Sequence, residues 1–231
     1  MKFHRTLLFA AILLLIGPVH AAAQQKKQET SAKIDDVIKA ALKGDVIAQV
    51  NLGTMFLQGR VGPQDYAEAA TLLRKPAEHG NAIAQFYLGE MYSRGDGVPQ
   101  DYEKAAKWLR KPAEQGNALA QSYLGLMYLH GNGVPRNPAE AEKWFRKAAE
   151  QGDHTAQSML GLIHSEGLGV TKDYIEAYMW LTLSVGGSTD KQSPFFQRAA
   201  DLRDSVAKKM NPQQIAEAQR RAREWKLKKA K

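Results

Sequence analysis

Gly44, Gly80, Gly116 and Gly152 stand 36 residues apart, and this regular spacing limits what the 231-residue chain can fold into. A fixed period of this length marks an array of small units, each too small to bury its apolar face alone. Blocks 80–115 and 116–151 are identical at 22 of 36 positions. Four blocks follow, 44–79, 80–115, 116–151 and 152–187, the last fading towards its end.

Each block reads as two helices. The first opens at an N-cap, which is Asp45, Asn81, Asn117 or Asp153. In the second block its apolar residues are Ala84, Leu88, Met91 and Tyr92, one side of a helix by spacing. Gly95-Asp96-Gly97-Val98-Pro99 is a turn, and the second helix starts at Asp101, or at Asn137 with Pro138 in its first position. Asp65 and Glu68, Asn137 and Glu140, and Asp173 and Glu176 have the spacing of a capping box. The second helix packs through Ala105, Trp108, Leu109 and Ala113 and stops at the glycine that opens the next block. Gly53, Gly89, Gly125 and Gly161 sit inside the first helix of every block. A mid-helix glycine costs about 1 kcal/mol relative to alanine. Its recurrence predicts close packing against Ala69, Ala105, Ala141 and Ala177 of the second helix.

The fold class that follows is all-α, an α/α superhelical solenoid of helix–turn–helix repeats. Residues 31–43 add an N-terminal capping helix through Ile34, Val37, Ile38, Ala41 and Leu42. Residues 188–231 add C-terminal capping helices. One opens at Ser193-Pro194 and carries Phe195, Phe196, Ala199, Leu202 and Val206. The other opens at Asn211-Pro212 and carries Ile215, Ala222 and Trp225. Residues 24–30 read as a disordered linker.

The motif Ala-Gln-x-x-Leu-Gly-x-Met-Tyr, then Gly-x-Gly-Val, Asp-Tyr-x-x-Ala-x-x-Trp and Lys-x-Ala-Glu-x-Gly resembles the Sel1-like repeat (SLR) family, relatives of the tetratricopeptide repeats. It stands almost complete at 84–116 and recurs at 120–152 with Asn137-Pro138 in place of Asp-Tyr. The resemblance covers 44–187 and implies a superhelix that acts as an adaptor for other proteins. Some members belong to bacterial envelope assemblies. Block one departs from it with Val61-Gly62 in its turn, and block four with Ile163-His164 for Met-Tyr. Pro76 and Pro112 stand where block three has Ala148, which predicts a kinked last turn.

The N-terminus reads as an export signal. Lys2, His4 and Arg5 precede an apolar run from Leu7 to Ile16, then Gly17-Pro18 and Ala21-Ala22-Ala23. This is the pattern of a signal peptide over 1–23 with cleavage before Gln24. The run is too short for the ~20 residues that span a bilayer. The expected product is periplasmic or secreted, with no transmembrane segment after cleavage. With no cysteine it uses no disulfide in an oxidising compartment.

The net charge of +8 is uneven. Residues 24–219 hold 23 basic and 23 acidic residues, whereas 220–231 hold seven basic residues and Glu224 alone. A neutral body argues against nucleic acid as a partner. The basic tail reads first as a solvated helix end that offsets the helix dipole. Its alternative partner is an anionic envelope polymer or lipid.

Catalytic signals are weak. His79, His130, His154 and His164 form no metal-binding spacing. Ser188-x-x-Lys191 and Ser205-x-x-Lys208 match S-x-x-K, without the companion K-T-G. A cysteine-rich subgroup of SLR proteins has been linked to penicillin binding and weak β-lactamase activity, so a cell-wall or β-lactam hydrolase is the alternative reading. The absence of cysteine weakens it. No enzyme activity, metal or cofactor is expected.

Positions that repeat between blocks hold the stack, and positions that vary are free to recognise a partner. On the first helices the variable rows are Val50, Phe86, Ser122 and Ser158; Thr54, Glu90, Leu126 and Leu162; and Gln58, Arg94, His130 and Glu166. These rows should line the concave side. Val50, Phe86, Glu90, Arg94, Ser122, Leu126, His130, Ser158 and Leu162 are the candidate contacts for a protein or peptide partner. Phe86 and Leu126 are expected to be exposed there and to anchor an amphipathic or extended segment.

Overall fold

A computed structural model describes residues 33–187 and 191–229, and every one of its regular elements is helical. The expected signal peptide 1–23, the linker 24–30 and Ser188 lie outside the described residues. The chain divides after Pro76 into two compact units.

The first unit holds α1 (residues 33–42), α2 (Val46–Leu57) and most of α3 (Tyr66–Glu78). Ala41, Ala48 and Leu52 form its core, with Val37, Ile38, Phe56 and Leu72 packed around them. Leu42, expected in this apolar face, is 82% exposed. Leu42 is the last residue of α1 and lies at the margin of the stripe, beyond Ile38.

The second unit begins with three helix pairs. These are α4 (Ala82–Arg94) with α5 (Tyr102–Glu114), α6 (Ala118–His130) with α7 (Pro138–Glu150), and α8 (His154–Glu166) with α9 (Tyr174–Gly187). Between pairs, α5 packs on α6 and α7 on α8. Then α10 (Pro194–Ala207) and α11 (Pro212–Lys229) both close over α9.

Local chemistry explains these bounds. Asp45, Asn81, Asn117 and Asp153 each cap a first helix by accepting the amide three residues on, at 2.7–3.0 Å. The first helices α4, α6 and α8 end on Gly95, Gly131 and Gly167 in the left-handed conformation, where glycine carries no Cβ penalty. In block one α2 ends instead at Gln58 in the right-handed region, so its Val61-Gly62 turn does differ. At α11 the capping box is reciprocal. Asn211 N–H donates to Gln214 Oε1 and Gln214 N–H donates to Asn211 Oδ1, both at 2.9 Å.

The two prolines do not shorten their helices. α3 and α5 run 13 residues, as does α7 with Ala148. Each proline gives up its own N–H bond, yet Pro112 O still accepts from Asn117 N at 3.0 Å, as Ala148 O does from Asp153 N at 3.1 Å.

The mid-helix glycines face a different neighbour from the alanines expected. A Cβ on Gly89 would lie 2.5 Å from Leu109 Cγ, and one on Gly125 would lie 2.7 Å from the Phe145 ring. The same relation joins Gly53 to Leu73 and Gly161 to Leu181. The large side chain one turn beyond each alanine presses into the glycine notch, while the Ala105 carbonyl stands 3.3 Å from that added carbon.

The glutamine of the Ala-Gln motif has an equally local cause. Gln85 Nε2 donates to Ala77 O at 3.0 Å, Gln121 to Ala113 at 2.9 Å and Gln157 to Ala149 at 3.2 Å. Each is a buried bond from a first helix back to the end of the preceding second helix. A buried amide must find such a partner, so the position is fixed in every repeat.

Candidate functional site

The first helices α4 and α6, with the start of α8, enclose an open groove of about 650 Å³. Sites that hold small ligands span ~300–1,000 Å³. Phe86 forms part of its floor and is only 7% exposed. The Phe86 ring lies tilted against Tyr87, centroids 5.3 Å apart, and edge-on to Tyr123 at 6.1 Å. Leu119, 52% exposed, and the half-buried Leu126 supply the open apolar surface.

One wall is a closed polar triangle. Tyr123 O–H donates to Glu90 Oε1 at 2.7 Å, Arg94 Nη2 donates to Tyr123 Oη at 2.8 Å, and Arg94 pairs with Glu90 at 2.8 Å. Burial and then the Glu90 carboxylate push the Tyr123 phenol up to about 12. For Arg94, burial works against the charge, but Tyr123 and Glu90 outweigh it and raise the guanidinium. At the far end, Ser122 Oγ donates to Asp153 Oδ1 at 2.8 Å and ties α6 to the cap of α8.

The residues expected to contact a partner therefore separate. Glu90, Arg94, Leu126, Phe86 and Ser122 do line one groove. Phe86, expected to be exposed, is buried instead, because Tyr87 and Tyr123 close over it. Val50 is buried within the first unit, and Ser158 is buried in α8. Leu162 is half-buried outside the groove. His130 is exposed, its Nδ1 2.9 Å from Leu126 O.

Tyr87, Leu119, Tyr123 and Thr155 line the groove and were not expected. Tyr123 repeats Tyr87 at the 36-residue spacing, and Leu119 repeats Ile83 and Ile47. Repetition by itself points to a packing duty. Yet Ile47, Ile83 and Leu119 are 70%, 53% and 52% exposed. Their place in the first turn of each first helix is the available sequence signal, since that turn projects past the packed stripe.

A second polar cluster lies between α7, α8, α9 and α11. Arg146 Nε donates to Glu142 Oε1 at 2.8 Å and Arg146 Nη1 to Glu176 Oε1 at 3.0 Å. Trp180 Nε1 also donates to Glu176 Oε1, at 2.9 Å. His164 is buried, with Nε2 3.4 Å from Glu142 Oε1 and 3.3 Å from Arg146 Nη2, while its Nδ1 has no partner. We assign the ring proton to Nε2, because a buried lone pair is cheaper to orphan than a buried N–H. Its hydrogen bond, and then Arg146, hold the Glu142 carboxyl below its ordinary range against the opposing effect of burial. In the preceding repeat Tyr128 stands at the His164 position and accepts from Arg110 at 3.1 Å. His164 thus fills the same inter-helix position beside an arginine, bonding Glu142 instead of accepting from that arginine. Among the described residues no group of three or more His, Cys, Asp or Glu side chains could hold a metal.

The basic tail is partly engaged. Arg220 pairs with Glu217 at 2.9 Å and Glu224 at 2.6 Å, and Arg221 with Glu217 at 2.7 Å. No helix among the described residues is long and apolar enough to cross a membrane.

Stacked helix pairs with a groove along their first helices define an α/α repeat protein. The Sel1 repeat matches residues 46–81, 82–117, 118–153 and 154–185, and the chain belongs to the Sel1 repeat family. Its members generally mediate protein–protein interaction and are typically non-catalytic. The chain is similar to a protective antigen present in uropathogenic Escherichia coli strains that displays an SLR fold. The two are 30% identical with a TM-score of 0.54, over 82% of this chain and 47% of that one. It therefore spans about half of that antigen. It is also similar to a Sel1 repeat protein from Oxalobacter formigenes, at 26% identity and a TM-score of 0.59, over 80% and 88% of the two chains. No curated protein matches at a significant level.

Proposed function

We propose that the protein is a non-enzymatic scaffold, periplasmic or secreted, that holds a segment of a partner protein in the groove between α4 and α6. The observation that carries this reading is Leu119. It is 52% exposed at the mouth of an aromatic-floored groove, where burial by a partner returns about 25 cal/mol per Å² of apolar surface. Export is supported by the charged start, apolar run and Ala21-Ala22-Ala23 of the N-terminus.

The test is a crosslinking pull-down from the source envelope, repeated with Leu119→Asp. The wild-type protein should capture a partner that the variant loses, with helix content unchanged. Phe86→Ala is unsuited to this purpose, since truncating a buried phenylalanine costs ~3–5 kcal/mol of stability. Equal capture by both proteins, or turnover of nitrocefin by the purified chain, would overturn the reading. N-terminal sequencing of the exported product should begin at Gln24.

A further inference from the structure

We infer that the segment this groove holds is cationic as well as apolar: a short stretch that pairs a branched or aromatic side chain with at least one Lys or Arg. The inference rests on the groove being the docking site.

Two carboxylates and one guanidinium line the groove. Glu90 and Asp153 line it, and Asp96 lies close enough to act on Arg94 electrostatically. Arg94 Nη2 bridges Glu90 at 2.8 Å and donates to Tyr123 Oη at 2.8 Å, so its charge is partly neutralised within the wall. An incoming anion that reached Arg94 would also meet Glu90 and Asp96, and further along the groove Asp153. The local sign is therefore negative in a chain whose total charge is +8. The acid rim is thus a property of this groove, not of composition. Complementary rim charges steer encounter and exclude wrong partners more than they add raw affinity.

The apolar half of the specification comes from Leu119, which lies open beside the Phe86 floor, and from the half-buried Leu126. A volume of about 650 Å³ accommodates a few residues of extended chain. An apolar anchor over Leu119 with a basic neighbour reaching Asp96 or Asp153 satisfies both features at once.

The experiment is selection of a random heptapeptide phage library on the exported protein, followed by titration of the enriched peptides made synthetically. Enriched peptides should combine an apolar residue with Lys or Arg and avoid Asp and Glu. Replacing their basic residue by Glu should weaken binding about tenfold at low salt, a loss that shrinks as salt is raised. Enrichment of acidic or uncharged apolar peptides that Leu119→Asp no longer captures would overturn the charge assignment and leave the docking site standing. No enrichment, or equal capture by Leu119→Asp, would overturn both.

Discussion

Arg146 Nη1 donates to Glu176 Oε1 at 3.0 Å, and the same oxygen takes Trp180 Nε1–H at 2.9 Å. The second helix of the third repeat is thereby fixed to the second helix of the fourth. Arg221 of α11 reaches the other Glu176 oxygen at 4.0 Å, and Trp225 stacks edge-on against Trp180 with centroids 6.1 Å apart. The C-terminal cap thus adheres through polar and aromatic contacts around one carboxylate.

This cluster sets an acid limit on stability. The Glu142 carboxyl is lowered in the folded state by the His164 hydrogen bond and by Arg146. A lowered folded value contributes stability above the unfolded value near 4.5, lost as pH falls through the folded value. Glu142→Gln should lower the melting temperature at neutral pH, and its deficit should shrink below about pH 4.5. Melting curves from pH 3 to 7 test this, and a deficit that does not change with pH would show that the carboxylate's charge is irrelevant.

Gly89→Ala separates helix propensity from packing. Propensity alone predicts a gain of about 1 kcal/mol. The added carbon would lie 2.5 Å from Leu109 Cγ and 3.3 Å from the Ala105 carbonyl, so overpacking should reverse the sign and cost about 1–3 kcal/mol. Ala105→Leu should destabilise for the same reason, since Ala105 is wholly buried. Urea denaturation measures both, and a stabilised Gly89→Ala would contradict the notch.

Tyr123 offers a spectroscopic readout of the groove wall. Its phenol should titrate near 12, and Glu90→Gln should move it back towards 10. A raised folded value means that its contribution is complete below pH 10 and is lost as pH rises towards 12. Ultraviolet difference titration of wild type, Glu90→Gln and Tyr123→Phe resolves this. A wild-type protein in which every tyrosine titrates near 10 would break the triangle.

Deleting 226–231 should leave the melting temperature nearly unchanged, because Trp225 is the last side chain packed on the core and Leu227 beyond it is 66% exposed. Trp225→Ala should cost about 1.5–3 kcal/mol. Loss of cooperative unfolding on deletion would make the tail structural.

The repeat period, the helix caps, the mid-helix glycines (though not the side chains that press into them) and the C-terminal helix starts at Pro194 and Pro212 were legible in the sequence. Each is set within one helix, or between helices joined by one short turn, where spacing along the chain is spacing in space. The composition of the groove was not. Whether a repeated apolar residue is packed like Leu88 or open like Leu119 depends on how far the neighbouring helices cover that turn. Tyr123 and Glu90, 33 residues apart, meet because of the angle at which one repeat stacks on the next. Phe86 is closed over by that same angle, and His164 finds Glu142 and Arg146 through it. Helical periodicity records which residues share a face, but the partner of that face is chosen by packing between repeats, which no local pattern encodes.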